Sequence, residues 1–509
     1  MTSELVFPPI FNRLRNLLSA EKQIYLVGGA VRDAVIGRIN HDLDFVMPAG
    51  IRRIARQVAN ALNGAFYMLD EEREIARVIC QDVEGKPYSL DFSIFRGQTL
   101  EDDLRGRDFT INAMAINLLD PQMLNDLLGG AVDLQDGLLR ACGPESMRDD
   151  PLRVMRGIRL SLAFRFQIDP VTQTAMLLEA PGLAKISPER QRDEFLRILE
   201  GEWVADGIRL LDQFDLVRRL FPDIYDLKVI GQSSPHVWNV WDHTLVTLAD
   251  LEILLEAVTG ANKIKSMLPK TIIMLASEKL EPFRQHLTDH LSESITVGRS
   301  RRGLLFLAAL YHDVGKAVSR QEKGDGSISF HGHEQSSADL VVGRAHEMVL
   351  SQVETNYLET VVRQHMRPHF LVKTGVRPSR KAIYHYFKDT GPYGVDICLL
   401  SLADTLATYG ETLSEPVWLA ELDVCRQLLA AWWGNQNEVI KPPRFLNGDD
   451  LQEDFGLKPG PQIGEILAAL EEAQACGEVT QPNEAWDFVK NWLSGNISAH
   501  SEMDYRGER

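Results

Sequence analysis

The sequence lacks paired cysteines, long apolar runs and a secretory leader, and each absence excludes a class of protein. Its five cysteines are scattered and form no CxxC pair, which indicates reduced, structural thiols. No apolar run approaches the roughly 20 residues that span a bilayer, and the start, MTSELVFPPIFNRLRNLL, has no apolar stretch followed by a cleavage site. We therefore expect a cytoplasmic protein without a membrane segment.

Positive charge is also scarce, because 54 lysines and arginines stand against 72 acidic residues and leave a net charge of −18. That total has the wrong sign for a protein that attracts nucleic acid with its whole surface. The stretch PLRVMRGIRLSLAFRF nevertheless concentrates Arg153, Arg156, Arg159 and Arg165. Any contact with nucleic acid is therefore expected to be local.

Length and periodicity predict several domains of two kinds. A chain of 509 residues is too long for one core and has the length of about three or four domains. Up to about residue 140 the sequence is rich in β patterns and glycine, and beyond it apolar residues mostly recur at helical spacing. The predicted elements are strands over 24–29, 42–47 and 89–95, a helix over 30–36, a helix or strand-helix junction over 108–119, and a capped helix over 187–199.

The densest chemistry lies in the first fifty residues, where Gly28 and Gly29 precede Arg32, Asp42 and Asp44. Residues two apart in a strand point to one face, so the two carboxylates project together and can bind Mg²⁺. A pair of such ions can hold the attacking hydroxyl and the leaving pyrophosphate of a phosphoryl transfer. The double glycine lets backbone N–H groups approach a triphosphate. The alternative is a simple turn followed by a solvated strand end.

Four motifs together resemble the class II tRNA nucleotidyltransferases, or CCA-adding enzymes, and the bacterial poly(A) polymerases. They are LVGGAVRDAVIGRINHDLDFV, LRGRDFTINAMAIN (104–117), DDPLRVMRGIRLSLAFRF (149–166) and SPERQRDEF, and they stand in the family's order. The resemblance implies a polymerase-β-like head in which Asp42 and Asp44 hold two Mg²⁺ ions and Asp91 is the third carboxylate. The residues that it implies at the nucleotide are Gly28, Gly29, Arg32, Arg107, Asp108, Asn112, Asp150, Arg153, Arg156 and Arg159.

Within that set, the resemblance implies that Asp108 and Asn112 lie near the sugar and that Asp150 and Arg153 read the base. An aspartate accepts from an exocyclic amine and an arginine donates to ring acceptors, and both C and A offer an amino donor beside a ring nitrogen. We expect the two residues at i and i+3 on one helix face. An ordinary helix salt bridge is the alternative.

Two departures from the family bear on the product. The chain reads Gly106-Arg107-Asp108 where many members have two arginines before the aspartate, so one positive contact is missing. The segment from SIFRGQTLEDDL into GRDFT is shorter than in CCA-adding relatives, which carry a flexible loop here that helps to switch the pocket from C to A. LEDDL reads instead as the start of a helix. We therefore expect only part of CCA addition, either CC or A.

A second constellation, around YHDVGK (311–316), resembles the HD phosphohydrolase domain. In such domains histidines and aspartates from separate helices converge on a transition metal, here Ni²⁺, Mn²⁺, Co²⁺ or Fe²⁺. The expected ligands are His243, His312, Asp313 and Asp404, with His333 and His365 for a second metal. The resemblance allows phosphatase or 2′,3′-cyclic phosphodiesterase activity, and buried structural histidines are the alternative.

The last hundred residues resemble the helical tail of bacterial nucleotidyltransferases, and LKPGPQIG (457–464) marks a helix start that can receive a tRNA phosphate. A capped helical hairpin is the alternative there.

The whole pattern predicts an α+β protein with a mixed-sheet head (1–140) and all-α neck (141–228), HD (229–415) and tail (416–509) domains. It predicts addition of C, A or both to tRNA or other RNA 3′ ends from CTP and ATP. Poly(A) polymerase, or an HD hydrolase with a vestigial head, remain alternatives.

Overall fold

The computed structural model describes residues 5–82, 84–260, 269–373, 375 and 377–495. The chain divides into two compact units. The first contains Met1–Glu202 and Asp206–Leu220, and the second contains Trp203–Ala205 and Phe221–Arg509.

The first unit is built on a seven-stranded mixed sheet whose strand order is β3-β4-β5-β2-β1-β6-β7. Only the central pair β2 and β5 is parallel, and the other neighbouring pairs are antiparallel. The strands are β1 (Tyr25–Val27), β2 (Asp42–Met47), β3 (Ala65–Asp70), β4 (Ile75–Gln81), β5 (Pro87–Ile94), β6 (Ala115–Asn117) and β7 (Asp120–Asn125).

One face of this sheet is buried, and the other is open over β3, β4, β5 and the start of β2 but covered at β1 and β6, where Val27 and Ala115 are buried. Leu43 and Phe45 of β2 are buried, as are Leu90 and Phe92 of β5, whereas Asp42 and Asp44 on the opposite face reach solvent. The helices of this part of the chain are α1 (Pro9–Leu17), α2 (Gly29–Val35), α3 (Ile51–Leu62), α4 (Leu100–Arg105) and α5 (Gly130–Asp136).

A run of helices completes the first unit beyond the sheet. Two short strands, Leu138–Leu139 and Gln167–Ile168, pair in parallel and flank the helix that carries the arginine cluster. The helices that begin in this region are α6 (Ser146–Asp149), α7 (Leu152–Phe164), α8 (Pro170–Glu179), α9 (Pro188–Glu200), α10 (Val204–Gln213) and α11 (Leu216–Leu220).

The second unit is helical apart from two hairpins of very short strands, at 294–300 and 321–329. Its central helices are hydrophobic nearly all round, which is the pattern of buried helices. Its helices are α12 (Pro222–Tyr225), α13 (Val240–Thr259), α14 (Lys270–Leu280), α15 (Arg284–Ser292), α16 (Arg301–Tyr311), α17 (Lys316–Ser319), α18 (His333–Glu347), α19 (Gln352–Gln364), α20 (Arg367–Lys373), α21 (Arg380–Thr390), α22 (Gly394–Tyr409), α23 (Glu415–Gly434), α24 (Gly448–Phe455), α25 (Pro461–Cys476) and α26 (Pro482–Leu493).

The last three helices pack around a core of their own, formed by apolar residues between Leu446 and Val489. Among the described residues, no helix is long and apolar enough to cross a membrane.

Most predicted elements are confirmed, and one is wrong. The strand predicted over 42–47 is β2, and the predicted helix over 187–199 is α9, which begins with Pro188 after Ser187. The segment 108–119 is neither a helix nor a strand-helix junction, because a short 3₁₀ turn (Thr110–Asn112) leads into β6. Every residue from Asp108 to Ile116 is buried, so no hydrophobic period distinguished helix from strand.

Candidate nucleotidyl-transfer and metal sites

The structure brings the three predicted carboxylates of the head together at the centre of the open sheet face. Asp42 and Asp44 alternate along β2, and Asp44 lies directly opposite Asp91 in the parallel pairing of β2 with β5. Desolvation by the surrounding chain, and then the charge of Asp91, raise the pKa of Asp44 to about 6, although Arg107 opposes them. Carboxylates crowded in this way repel one another, so the cluster favours the binding of a cation.

Asp91 also has a partner that the sequence did not indicate. The Arg77 guanidinium on β4 donates from Nε and Nη2 to the two Asp91 oxygens at 2.8 and 2.7 Å. The register explains the contact, because Arg77 lies opposite Asp91 where β4 pairs with β5. The alternation in IARVICQ is a signal for the face of Arg77, but only the pairing of distant strands could give its partner.

The glycine turn between β1 and α2 lies against these carboxylates. Gly28 has a φ of +74°, a conformation that favours glycine. A Cβ on Gly28 would lie 3.2 Å from Asp44 Oδ2 and 3.4 Å from an Arg107 nitrogen. The missing side chain therefore lets the backbone approach the carboxylate cluster closely.

A continuous chain of charged and polar side chains links four of the predicted nucleotide residues. Arg32 Nη1 donates to Asn112 Oδ1 at 2.7 Å, and Asn112 Nδ2 donates to Asp108 at 3.2 Å. Asp108 in turn pairs with Arg156 at 2.9 Å. Burial alone raises the pKa of Asp108, but Arg156, the Phe109 N–H and Asn112 outweigh burial and hold that pKa below its usual value.

The chain ends on Glu194, another residue that the sequence did not single out. Glu194 is buried in α9 and pairs with Arg156 at 3.5 Å, Arg159 at 2.8 Å and Arg197 at 3.0 Å. SPERQRDEF thus supports the arginines of α7 through one carboxylate. The contact with Glu194 fixes the position of Arg159. At the other end of the chain of contacts, the Arg32 guanidinium lies over the Phe164 ring, 4.5 Å from its centroid.

The predicted base-reading pair is close in sequence but not on one helix. Asp150 is extended (φ −149°) and precedes α7, whereas Arg153 lies in its first turn, so the expected common helix face is wrong. Pro151 between them explains the break, since the residue before a proline is pushed out of the helical region. Asp150 pairs with Arg190 at 2.8 Å, and Arg153 donates to the Gly106 and Arg107 carbonyls at 2.7 and 3.0 Å.

The segment between the carboxylates and Asp108 contains the helix that was predicted to start at LEDDL. LEDDL forms α4, and Thr99 and Asp102 make reciprocal capping bonds at its start. Arg96 donates to the Gly106 carbonyl at 2.9 Å, and Arg107 pairs with buried Asp103 at 2.9 Å. These contacts tie the two ends of the segment to each other, and buried Leu104 of α4 packs against the sheet in one core cluster with Val27 and Val46.

The second unit brings all six predicted HD residues into one buried cluster. His243, His312 and Asp313 present ligand atoms within 4.8 Å of one another, and Asp313, His333 and His365 do the same. Asp313 therefore belongs to both triads, with its two oxygens turned to different histidines. Asp404 joins the first triad at 2.9 Å from His243 Nε2.

Three of these rings are oriented by the backbone. The Nδ1 atoms of His312, His333 and His365 lie 2.7, 2.9 and 2.7 Å from carbonyl oxygens three residues earlier. Each ring then donates from Nδ1 and presents Nε2 to the centre, the arrangement common to metal-ligating histidines. Burial lowers the pKa of His365 to about 3, which keeps the ring neutral.

The centre of the cluster contains buried polar atoms without hydrogen-bond partners among the described residues. The Nε2 atoms of His312, His333 and His365 are of this kind. Unpartnered buried atoms cost free energy, and a bound cation would satisfy them. The donor set of imidazole and carboxylate suits a divalent transition metal.

A cleft of about 720 Å³ opens onto this cluster. Its wall includes His369, which bonds to Asp404 at 3.0 Å and to Glu421 of α23 at 2.9 Å. Burial alone lowers the pKa of His369, but these two hydrogen bonds outweigh it and raise that pKa to about 10. Lys316 of YHDVGK pairs with Asp313 at 2.6 Å. Sequence analysis did not identify His369 or Glu421, because neither residue belongs to a recognised motif.

Comparison with known proteins identifies the family. The poly(A) polymerase head domain matches residues 24–140, an RNA-binding domain of polymerase A matches 165–227, the HD domain matches 277–408, and domain 2 of tRNA nucleotidyltransferases matches 436–489. An A-adding tRNA nucleotidyltransferase of Deinococcus radiodurans is 31% identical over 476 residues, covering 92% of this chain and 95% of that protein. The chain belongs to the tRNA nucleotidyltransferase family.

Further relatives of this nucleotidyltransferase agree in fold. A CC-adding enzyme of Geobacter sulfurreducens is 29% identical, with 91% of each chain covered. A CCA-adding enzyme solved with CTP is 21% identical, has a TM-score of 0.60 and covers 97% of both chains. A Thermotoga maritima CCA-adding enzyme solved with tRNA is 22% identical, has a TM-score of 0.57 and covers 96% of this chain and 97% of that one. The predicted fold, a mixed-sheet head followed by a helical remainder with an HD domain, is confirmed.

Proposed function

We propose that this nucleotidyltransferase transfers nucleotides from CTP or ATP to tRNA 3′ ends without a template and completes only part of the CCA sequence. The observation that carries the restricted product is the short, tethered segment between β5 and Asp108. A pocket that must change from C to A needs an element that can move, and α4 with its capping bonds is poorly suited to that role.

The carboxylate cluster is the proposed centre of transfer. Asp42 and Asp44, with Asp91, would hold the divalent cations, for which Mg²⁺ is the expected ion; when bound, such ions neutralise charge at the attacking and leaving oxygens. The Gly28 turn gives the triphosphate a close approach to these residues. Arg32 and Arg156, fixed by Asn112, Asp108 and Glu194, supply positive charge at set positions.

Base choice is proposed to depend on Asp150 and Arg153. Arg153 is anchored by the backbone carbonyls of Gly106 and Arg107, so its position follows that of the segment after α4. A segment that does not move keeps Arg153 in one position and keeps the pocket suited to one base. This coupling supports a single kind of product.

Two partial products are compatible with this argument. A pocket without a switch suits CC or A equally, since each uses one kind of base, and the 29% identity to a CC-adding relative favours CC. The 31% identity to an A-adding relative favours addition of the final A. We propose CC as the first candidate and A as the second.

The test offers the enzyme tRNA transcripts that end before the first C, after CC, or complete, each with CTP, ATP or both. A product that stops after two C residues supports the first candidate, and addition of one A only to the CC end supports the second. A complete CCA end made by this protein alone would contradict the restricted product. Long tails on every substrate with ATP would indicate a poly(A) polymerase.

The HD cluster is proposed to bind one or two transition metals, among Ni²⁺, Mn²⁺, Co²⁺ and Fe²⁺, and to hydrolyse phosphate esters at RNA ends. His243, His312, Asp313 and Asp404 would hold the first ion, and His333, His365 and Asp313 the second. We also propose the four-part division at residues 140, 228 and 415, with the tail (416–509) in contact with tRNA.

A further inference from the structure

One row of side chains crosses the open face of the head sheet from the carboxylates to its free edge. Tyr67 of β3 lies opposite Arg77 of β4, Arg77 lies opposite Asp91, and Asp91 lies opposite Asp44. Residues opposite one another in neighbouring strands point to the same face. The exposed edge of the sheet is therefore continuous with the transfer centre.

The part of this row beyond Asp91 is unusually apolar for a surface. Tyr67 is 50% exposed and Ile79, two residues along β4 from Arg77, is 47% exposed. The side chains of β4 and β5 that point to the other face, such as Val78 and Leu90, are fully buried. An exposed aromatic and a branched apolar side chain beside an arginine suggest a surface that something covers during function.

The chemistry of this surface fits an unpaired RNA strand. Bases stack on aromatic and apolar side chains whatever their sequence, and arginine binds the phosphates between them. Arg77 is 41% exposed and uses only Nε and Nη2 on Asp91, so Nη1 has no hydrogen-bond partner in the part of the chain that the structure describes. In a protein of net charge −18, such a local feature is what contact with RNA requires.

The geometry also assigns this surface to the acceptor and not to the incoming nucleotide. The Gly28 turn, which serves the triphosphate, follows β1, and β1 and β5 flank β2 on opposite sides. Three strand spacings separate Asp44 from Tyr67, or about 14 Å. At the stacked spacing of about 3.4 Å per nucleotide, that length accommodates about four nucleotides.

We propose that Tyr67, Ile79 and Arg77 form an acceptor platform that holds the unpaired 3′-terminal nucleotides of the RNA against the carboxylate cluster. This inference rests on the proposed function, because it names the residues that bind the acceptor of that reaction. The platform binds bases by stacking and is indifferent to their identity, so it sets the position of the 3′ end and leaves base choice to α7.

The experiment measures KM for tRNA and for nucleotide separately in Tyr67→Ala, Tyr67→Phe and Ile79→Ser. Loss of one stacked base should raise KM for tRNA about 5- to 10-fold in Tyr67→Ala, with a similar direction in Ile79→Ser. KM for nucleotide should stay unchanged, and Tyr67→Phe should behave as wild type because the ring remains. Binding without nucleotide should also lose its preference for a labelled tRNA with an unpaired 3′ end over one with a blunt end.

Two exposed residues of the head serve as matched controls. Met123→Ala removes an exposed apolar side chain from β7, at the other edge of the sheet, and Arg52→Ala removes an exposed ion pair with Glu71 from α3. Both should keep the wild-type KM for tRNA. The platform is overturned if KM for tRNA is unchanged in Tyr67→Ala and Ile79→Ser. It is also overturned if these variants change the oligomeric state of the protein and leave its affinity for RNA unchanged. A wild type that extends no tRNA overturns the proposed function instead.

Discussion

At the scale of single residues, the head places several carboxylates close together, an arrangement that does not stabilise its fold. Asp44 lies opposite Asp91 and two residues from Asp42, and its pKa is raised to about 6 by desolvation and then by Asp91. Like charges held together cost free energy in the protein alone. A cluster that costs stability in this way is what the proposed cation site requires.

Removing one of these charges should separate function from stability. We expect Asp44→Asn to reduce nucleotide addition at least about a hundredfold, the scale of losing one electrostatic contact to a transition state. Its melting temperature without metal should not fall, because repulsion from Asp91 is relieved. Addition to tRNA and thermal unfolding measure the two effects, with exposed Asp120→Asn as the control that changes neither. Normal addition in Asp44→Asn would refute the metal assignment.

The buried carboxylate of Asp250, on α13, gives a pH prediction outside the two sets of proposed site residues. Burial raises the pKa of Asp250 to about 8, and its Oδ2 has no hydrogen-bond partner among the described residues. The folded state holds a proton there that the unfolded chain releases near pH 4. The free energy of unfolding therefore falls as pH rises between about 4 and 8, by at most about 1.4 kcal/mol per pH unit.

Asp250→Asn removes this titration. We expect its unfolding free energy, relative to wild type, to rise by up to about 3 kcal/mol between pH 5 and pH 7.5. Urea unfolding of both proteins at the two pH values measures the change. A constant difference across that range would show that Asp250 is ionised when folded.

Sequence reasoning identified motif residues well and their partners poorly. Strand alternation, a local property, predicted that Asp42 and Asp44 share a face, and the resemblance to the HD domain indicated its histidines. Arg77, Glu194 and His369 were missed, because each acts through a residue that is distant in the sequence. The separations are 14 positions for Arg77, 35 for Glu194 with Arg159, and 35 and 52 for His369. Such pairs depend on strand register and helix packing, which a single sequence does not specify.

At the scale of elements, local patterns predicted several of the elements in which one face is buried and the other is not. DLDFVM alternates and forms β2, and LEDDL follows a capping threonine and forms α4. The wholly buried segment from Asp108 to Ile116 offered no alternation, and its prediction was wrong. The extended Asp150 was also missed, although the following proline was a signal for it.

The turn after β1 provides a test with an internal control. Gly28 and Gly37 have nearly the same φ, +74° and +75°. A Cβ on Gly28 meets Asp44 and Arg107, whereas one on Gly37 meets no described atom within 4 Å. Both Gly→Ala changes should cost about 1 kcal/mol of stability through φ alone.

Only Gly28→Ala should also lose nucleotide addition, because its methyl group occupies the space beside the carboxylates. Chemical unfolding measures the loss of stability that φ causes in both variants. Single-nucleotide addition measures the effect of the methyl group beside the carboxylates, which only Gly28→Ala has. Equal activity in both variants would show that the close approach at Gly28 is not needed for transfer.

At the scale of the whole molecule, two sites of different chemistry lie in different compact units. The carboxylate cluster is in the first unit and the HD cluster is in the second. The head donors are carboxylates alone, which suit Mg²⁺, and the HD donors include four imidazoles, which suit transition metals. The two sites can therefore be emptied of metal independently.

Asp313 is the residue whose loss should affect the second site most, because it belongs to both HD triads. We expect Asp313→Asn to lose bound transition metal, measured by elemental analysis, together with any phosphatase activity on a 2′,3′-cyclic phosphate end. Nucleotide addition in Mg²⁺ should remain within about twofold of wild type, since no residue of the transfer centre changes. His286→Ala, an exposed histidine of the same unit stacked on Trp433, is the control and should retain the metal. Equal metal content in wild type and Asp313→Asn would contradict the HD metal assignment, and a parallel loss of nucleotide addition would show that the two units depend on each other.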